Sequence, residues 1–241
     1  MGENLVKVAI SFIATGKYLN YLPKWYEYLE DNFLPGIEKK ILVFTDGDLD
    51  GTPENINVYQ IEHKEWPFIT LERFETLLIA REDIEKCDWF VFLDADTLVV
   101  SEIKPEDFFN DSKPYIGVHH PCHFLQMPPH DKYPGAFEIN KKSRACIEEN
   151  SDFSVYYQGC VWGGKVPEVI DMIEELDKRT REDLENDVIA IWHDESHLNK
   201  FYLENADKVN VLSSSYAFPN DFANYCEFPP KIVHSKDFSN Y

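Results

Sequence analysis

Two aspartates, Asp94 and Asp96, directly follow an unbroken run of bulky apolar residues, Trp89–Leu93. A run without a polar face is typical of a strand buried on both sides, as in a mostly parallel sheet covered by helices. Because side chains alternate along a strand, the two carboxylates point the same way, with the small Ala95 between them. Ligands of open α/β sheets bind beyond the carboxyl ends of the strands, so the pair predicts a site for a hard divalent cation. The alternative is a strand that ends in solvated turn acids.

A second pair of acids, Asp194 and Glu195, begins a segment whose later apolar residues recur at helical spacing. We predict a helix that starts near Asp194, with Asp194 as its N-cap and Glu195 in its first turn. The positive end of such a helix favours ionised carboxylates. Acids at this position are commonly only caps, so a structural role and a catalytic role for Glu195 both fit the spacing.

These acids need a scaffold, and the apolar patterning of the chain predicts one of alternating strands and helices. Arg73 falls in the first turn of a predicted helix, where a cation is unfavourable for the helix dipole; a ligand anion and simple surface exposure are both possible reasons. Three histidines and a cysteine lie between residues 117 and 124, but they lack the paired, spaced ligands of structural zinc. Strands are predicted at residues 5–14, 40–45, 56–61, 88–96 and 156–164, and helices at 18–33, 71–86 and from Pro167 onward.

Composition limits the partners that this protein can have. At 241 residues the chain can form one large α/β domain or two small ones, and we favour one. A formal charge of −21 with scattered acids argues against nucleic acid or an anionic membrane as partner, and an anionic ligand would need a local cation. The five cysteines are odd in number and form no CxxC pair, which indicates a reducing compartment. No segment is apolar and long enough to span a bilayer.

Several short motifs are spread along the chain: residues 15–18 (TGKY), 43–46 (VFTD), Trp66 with Arg73, 94–96 (DAD), 156–157 (YY) with 163–164 (GG), and 192–200 (WHDESHLNK). Together they resemble glycosyltransferase family six, the retaining galactosyl and N-acetylgalactosaminyl transferases that include the blood-group A and B enzymes. The resemblance runs over nearly the whole chain and implies an α/β GT-A fold with a Rossmann-like, mostly parallel mixed sheet flanked by helices. It implies a single domain over 1–241, with a nucleotide-binding half at about 1–100 and an acceptor and donor-sugar half at about 101–241.

The resemblance also implies roles for individual residues. Uridine would lie against the turn after the first strand, Arg73 would support the donor near its diphosphate, and Asp94 with Asp96 would hold Mn²⁺ or Mg²⁺. Glu195 would face the anomeric carbon as the catalytic group. The donor set is Ile13, Ala14, Tyr18, Arg73, Asp94, Ala95, Asp96, Gln158, Gly159, Cys160, His193, Asp194, Lys231 and Lys236; the acceptor set is His120, Trp192 and Glu195; His234 is a further candidate metal ligand.

Departures from the family pattern refine these expectations. The intact Asp-Ala-Asp implies a metal-dependent member, because bacterial relatives often carry Asn-x-Asn and work without metal. Cys160 is bulkier than the glycine that admits an acetamido group, so we expect UDP-galactose first and UDP-glucose second as donor. Residues 127–144 match poorly, which leaves the glycan acceptor open, and a covalent and a front-face retaining mechanism both stay open. The chain lacks the signal-anchor helix and stem of the mammalian enzymes, so we expect a soluble, cytoplasmic protein of microbial or viral origin.

Three other functions agree with parts of the sequence. The segment around Asp94 also resembles the haloacid-dehalogenase phosphatase motif, but Leu98 stands where that motif needs Thr or Val. A sugar-nucleotide pyrophosphorylase needs a glycine-rich first turn, and Gly16 stands alone there. A non-catalytic glycan-binding module explains the many aromatic residues but gives the three acids no role.

Overall fold

A computed structural model describes residues 6–121, 137–148, 151, 154–225, 228–239 and 241 of the protein. Ten strands are described: β1 (Lys7–Ile13), β2 (Glu38–Thr45), β3 (Ile56–Gln60), β4 (Trp89–Leu93), β5 (Thr97–Val99), β6 (Tyr115–His119), β7 (Tyr157–Lys165), β8 (Val209–Leu212), β9 (Phe218–Pro219) and β10 (Ile232–His234). Seven of them form the main sheet, in the order β3-β2-β1-β4-β7-β6-β8. Strands β5, β10 and β9 form a separate small sheet.

The main sheet is mixed and mostly parallel, because four of its six strand pairings are parallel. The exception is β7, which runs antiparallel to both of its neighbours, β4 and β6. Helices cover the sheet, so the predicted α/β GT-A class is confirmed. They are α1 (Leu22–Asn32), α2 (Phe68–Leu71), α3 (Arg73–Leu78), α4 (Arg81–Ile84), α5 (Pro105–Phe108), α6 (Glu168–Glu185) and α7 (His193–Glu204).

The buried strand β4 shows how the sequence pattern produces two cores. Successive side chains alternate between the faces of the sheet. Val91 joins the cluster that also holds Trp25 and Leu29 of α1, whereas Phe90 and Phe92 join the cluster beneath α3, α6 and α7. All five side chains of β4 are buried, as predicted for a strand covered on both sides. Helices therefore cover β4 on both faces of the sheet.

Two predicted helices differ from the observed ones. The helix predicted at 18–33 begins as a 3₁₀ turn, Gly16–Tyr21, and becomes α-helical only in α1. The helix predicted at 71–86 is divided among α2, α3 and α4. The breaks fall at Glu72 and Ala80, whose φ/ψ values of −96°/17° and −97°/15° lie in the bridge region. Apolar spacing shows only which face is buried, and three short helices can bury the same face as one long helix.

The start of α7 also corrects the sequence analysis. The helix begins at His193 with Trp192 as its N-cap residue, so Asp194 lies inside the first turn and is not the cap. The carboxylate of Asp194 instead lies 3.2 Å from a guanidinium nitrogen of Arg73. A local capping rule cannot anticipate this ion pair, because its cation comes from a distant part of the chain.

The carboxyl-terminal segment, which the sequence presented only as a short basic tail, forms a strand. β10 pairs antiparallel with β5 and parallel with β9. Since β5 begins directly after Asp96, this pairing brings the tail to the acidic pair, and the backbone N–H of Ser235 donates to the carbonyl of Asp96 at 3.0 Å. Among the described residues, no helix is both long and apolar enough to cross a membrane.

Candidate active site

Four strand ends meet at one edge of the main sheet. β1, β4 and β6 all run toward this edge, and the antiparallel β7 starts from it. The backbone N–H of Asp94 donates to the carbonyl of Cys160 at 3.0 Å, which joins the end of β4 to the start of β7. The amino end of α7 packs onto the same start of β7, where Gly159 contacts Glu195. Residues far apart in sequence therefore converge at this edge.

Two adjoining cavities of about 490 Å³ and about 340 Å³ open at this edge. They share Trp66, Thr70, Arg73, Asp94, Asp96 and Lys236, so they form one continuous cleft. Of the residues predicted from the sequence, Ile13, Ala14, Tyr18 and Ala95 line the larger cavity, and His120, Gln158, Gly159, Cys160, Trp192, His193, Asp194, Glu195 and His234 line the smaller one.

Arg73 connects the two groups of acids. Its guanidinium lies 3.5 Å from an oxygen of Asp94 and 3.2 Å from an oxygen of Asp194, and it donates to the carbonyl of Gly159 at 3.0 Å. The residue is only 7% exposed, and its Nε–H has no hydrogen-bond partner among the described residues. Arg73 thus holds the two acids in place and keeps its buried Nε–H available for a further hydrogen bond. This fits its predicted position beside the diphosphate of a UDP-sugar.

Three carboxylates of the cleft, those of Asp94, Asp194 and Glu195, have raised pKa values. Burial raises the pKa of Asp94 to about 7 against the lowering effect of Arg73, with Asp96 raising it further. Burial likewise raises the pKa of Asp194 to about 6, and Arg73 again opposes the shift. Burial raises the pKa of Glu195 to about 7, although hydrogen bonds from Tyr156 and Gly159 lower it. Acids with pKa values near neutrality are typical of functional sites.

The two tail lysines have different surroundings. Lys236 forms an ion pair with Asp96 and lies 4.8 Å from the centre of the Tyr18 ring. Burial is the largest single influence and lowers the pKa of Lys236, but the hydrogen bonds and charge interactions with Asp96 and Tyr18 together raise that pKa above its usual value. Lys231 lies 3.1 Å from Asp107 and is absent from the lining of both cavities, so its predicted contact with the donor has no support in this structure.

The acidic pair was tested for its fit to a divalent cation. Among the described residues, no group of three or more His, Cys, Asp and Glu side chains could hold a metal ion by itself. Asp94 and Asp96 supply hard oxygen ligands, and Mn²⁺- or Mg²⁺-type sites commonly take one or two carboxylates and leave the other positions to substrate phosphates. Five acids, Asp94, Asp96, Asp194, Glu195 and Glu65, and three cations, Arg73, Lys64 and Lys236, line the cleft, which gives a formal charge of −2 when all of them are ionised. The two carboxylate ligands and the negative charge of the cleft therefore fit such an ion.

The wall formed by Gln158 and Cys160 is rigidly packed. Gln158 is 2% exposed, and its amide donates to the carbonyl of Ala217 at 2.7 Å. The thiol of Cys160 donates to the side-chain oxygen of Gln158 at 3.0 Å, and burial raises the pKa of that thiol well above its usual range. Cys160 is therefore a neutral, fixed part of the wall. The glutamine amide is already satisfied by protein groups.

Several cavity residues were not predicted from the sequence. His63 lies 2.8 Å from the hydroxyl of Thr15, and both line the larger cavity. Trp66 belonged to a recognised motif but had no assigned role; it is 72% exposed at the cleft and packs edge-on against His193 at 4.9 Å. His63 follows a strand end, which is the one local signal that could have identified it. Cys122 and His123 of the rejected zinc cluster lie outside the described residues.

Comparison with known proteins agrees with this geometry. The family described as "Glycosyltransferase family 6" matches residues 3–232, and its chemistry is glycosyl transfer, not phosphate hydrolysis. The Escherichia coli "O-antigen biosynthesis glycosyltransferase WbnI" is 33% identical over 217 residues, covering 89% of each chain. The Homo sapiens "Globoside alpha-1,3-N-acetylgalactosaminyltransferase 1" is 26% identical over 218 residues, which are 87% of this chain and 60% of that protein. The Rattus norvegicus "Histo-blood group ABO system transferase 2" is 26% identical over 235 residues, 93% of this chain and 67% of that protein.

This chain therefore spans nearly all of the bacterial relative but only three fifths of the human one. The match extends over both halves of the sheet and includes every residue of the cleft except Lys236 and His234. The chain belongs to glycosyltransferase family 6.

Proposed function

We propose that this protein transfers a hexose, galactose in the first place, from a UDP-sugar to a glycan acceptor with retention of the α configuration and with the help of Mn²⁺. The observation that carries the proposal is the continuous cleft. One end has the volume and the apolar and aromatic lining of a nucleoside site, and the other end holds Glu195. Asp94 and Asp96 lie where the two cavities join, as the diphosphate of a donor spanning both would require.

In this arrangement the metal would be held by Asp94 and Asp96, with His234 as a further candidate ligand from the tail. When bound, the ion would supply Lewis-acid stabilisation of the charge that develops on the departing UDP. Arg73 orients Asp94 toward the cleft through their 3.5 Å contact. Lys236 places a cationic side chain next to the same acids, where it can approach the anionic diphosphate of the UDP-sugar.

Glu195 is the proposed catalytic group. A buried carboxylate beside the anomeric carbon either forms a covalent intermediate or stabilises an oxocarbenium-like centre, and each route retains the configuration. Hydrogen bonds from Tyr156 and Gly159 hold the carboxylate at the start of β7, so its orientation toward the sugar is fixed before the UDP-sugar binds. Trp192 and His120 line the same cavity and are proposed to contact the acceptor.

The relatives support the reaction class and differ in the sugar that their names state. The human relative is named for N-acetylgalactosamine, and the bacterial one for O-antigen biosynthesis. Cys160 is the basis for a different donor preference here, because it lines the smaller cavity with a fixed side chain. We propose a sugar with a 2-hydroxyl group as donor.

The direct test is release of UDP from UDP-galactose, UDP-glucose and UDP-N-acetylgalactosamine with and without Mn²⁺. We expect Mn²⁺-dependent release that EDTA abolishes, fastest with UDP-galactose, and an α-linked product by NMR once an acceptor is found. Asp94→Asn should abolish the activity, whereas Asp88→Asn, at the exposed amino end of the same strand, should not. Full turnover in EDTA would refute the metal requirement, and a β-linked product would refute retention.

A further inference from the structure

Both carboxylate oxygens of Glu195 are already held by protein donors. The phenol of Tyr156 donates to Oε1 at 2.7 Å, and the backbone N–H of Gly159 donates to Oε2 at 2.7 Å. Both distances are typical of strong hydrogen bonds to an ionised acid. Two donors on different oxygens fix the plane of the carboxylate, which a single donor would leave free to rotate.

Tyr156 is itself rigidly placed. Its side chain is fully buried, and its ring contacts those of Phe137 and His120 at centroid distances of 4.9 Å and 5.7 Å. The carbonyl of Tyr156 also accepts a hydrogen bond from the backbone N–H of His120 at 2.8 Å. A phenol constrained in this way acts as a preorganised donor for Glu195.

We propose that Tyr156 is a positioning residue of the reaction: its phenol fixes the orientation of the Glu195 carboxylate and maintains its ionised form. This inference rests on the proposed function of Glu195. Tyr156 does not itself line either cavity, so it acts through the carboxylate and not on the substrate.

The charged groups around Glu195 make this hydrogen bond important. Burial raises the pKa of Glu195 to about 7 and Asp194 raises it further, while Tyr156, Gly159 and Arg73 lower it. Cys160, on the same strand as Gly159, has a pKa well above neutrality and stays uncharged. Loss of the phenol removes one of the influences that lower the pKa of Glu195. The carboxylate would then be mostly protonated, and without its negative charge, at neutral pH.

The test compares Tyr156→Phe with Tyr202→Phe. Tyr202 is a matched control, because it is also fully buried and its phenol also donates one hydrogen bond, to the carbonyl of Ile116 at 2.6 Å. The pKa of Glu195 is measured by ¹³C NMR of its side-chain carboxyl, with the signal assigned by its absence in Glu195→Gln. We expect a rise of about one to two pH units in Tyr156→Phe and none in Tyr202→Phe.

Kinetics give a second readout. At pH 7, kcat of Tyr156→Phe should fall about 5- to 50-fold with KM for the UDP-sugar nearly unchanged, and the acidic limb of its pH profile should move upward by the same amount as the measured pKa. Equal pKa values and equal kcat in the two tyrosine variants would overturn the inference. A raised pKa in Tyr156→Phe together with full turnover by Glu195→Gln would instead refute the proposed role of Glu195 and leave the positioning contact valid.

A measurement on the intact phenol covers the case in which Tyr156→Phe fails to fold. In protein labelled with ¹³Cζ-tyrosine, the Tyr156 resonance should shift on Glu195→Gln, because a neutral amide accepts a weaker hydrogen bond than a carboxylate. The Tyr202 resonance should stay in place. An unchanged Tyr156 resonance would contradict the inference without use of the phenylalanine variant.

Discussion

A single carboxylate, Glu195, shows how environment gives a common residue a specific chemistry. It lies in the first turn of α7, where helix acids are ordinary, but burial and the nearby Asp194 raise its pKa to about 7. An acid in this range is poised between its two protonation states at the pH of the reaction. The same side chain on a solvated helix would be permanently ionised and strongly hydrated.

The first prediction concerns this residue. Glu195→Gln keeps the size of the side chain and removes the charge, so kcat should fall about 10²- to 10⁴-fold while the Kd for UDP changes less than about threefold. The proposed mechanism needs the ionised form of Glu195, so kcat of the unmodified protein should decline as the pH falls below about 7. Steady-state kinetics and calorimetric UDP binding provide the two measurements. A parallel loss of UDP affinity would indicate a structural role.

The second prediction concerns donor choice at Cys160. Its thiol is fixed by Gln158 in the wall of the smaller cavity, so Cys160→Gly creates space for a larger substituent on the sugar. Steric discrimination of this size is worth about 1 to 3 kcal/mol, so the ratio of kcat/KM should shift about 5- to 150-fold toward UDP-N-acetylgalactosamine. Competition between the two donors measures the ratio directly. Faster use of the N-acetylated donor by the unmodified protein would show that this wall does not exclude it.

At the scale of elements, the contact of strand β7 with helix α7 determines the geometry of the cleft. Gly159 lies at this contact, where its N–H binds Glu195 and its carbonyl accepts from Arg73. A Cβ at this position would lie 3.3 Å from the Cβ of Glu195 and 3.4 Å from an oxygen of Asp194. The absence of a side chain at Gly159 therefore allows the start of β7 to lie directly against Asp194 and Glu195 at the amino end of α7.

The third prediction follows from this contact. Gly159→Ala should displace the amino end of α7 by a few tenths of an ångström and lower kcat about 10- to 100-fold, since catalytic geometry tolerates little misplacement. The melting temperature should change by only a few degrees, because the neighbours are side chains that can adjust. Thermal melts and kinetics on the same preparation separate the two effects. A large loss of stability with unchanged kcat would contradict the argument.

The fourth prediction concerns the tail that follows β10. Removal of residues 231–241 would delete a strand of the small sheet, so a point change is the cleaner test. Lys236→Met removes the cation beside Asp96 and should raise KM for the UDP-sugar about 3- to 10-fold. Lys231→Met should have little effect, because Lys231 pairs with Asp107 away from both cavities. An equal rise in KM for both variants would indicate that Lys231 also contacts the UDP-sugar.

Local pattern predicted the parts of the site that depend on one element. The buried run of β4 located Asp94 and Asp96 at the carboxyl end of a central strand, but the strand ends at Leu93 and both residues lie beyond it, so alternation along the strand does not set their directions. The apolar spacing gave the buried faces. The partners of Arg73, Asp194 and Lys236 come from other elements, and no local rule contains them. Strand β10 was missed for the same reason, since three residues become a strand only through pairing with β5.

At the scale of the whole molecule, a buried histidine, His197, lies beside the carboxylate of Asp183, which joins the end of α6 to residues 143–144. His197 of α7 is fully buried, and its ring lies 3.5 Å from the carboxylate of Asp183 at the end of α6. Asp183 also accepts hydrogen bonds from the hydroxyl of Ser143 at 2.5 Å and from the backbone N–H of Arg144 at 2.6 Å. Burial, aided by the charge of Arg179, lowers the pKa of His197 to about 4, so the ring is neutral in the folded protein at neutral pH.

The last prediction is that this histidine makes the fold sensitive to acid. The unfolded chain binds a proton at His197 near pH 6.5 and the folded chain only near pH 4, so stability should fall as the pH drops between these values. The loss is at most about 3 kcal/mol for this one group. The cleft carboxylates Asp94, Asp194 and Glu195 act in the opposite direction, because their raised pKa values make the folded state bind more protons between about pH 4 and 7. The pH dependence of the total stability therefore does not isolate the contribution of His197, and a variant is needed to measure it.

His197→Gln should be less stable than the unmodified protein at pH 8 through altered packing, and this deficit should shrink by about 2 to 3 kcal/mol by pH 4.5. Urea unfolding at each pH measures the difference, and a deficit that stays constant with pH would show that the pKa of His197 is the same in the folded and the unfolded chain.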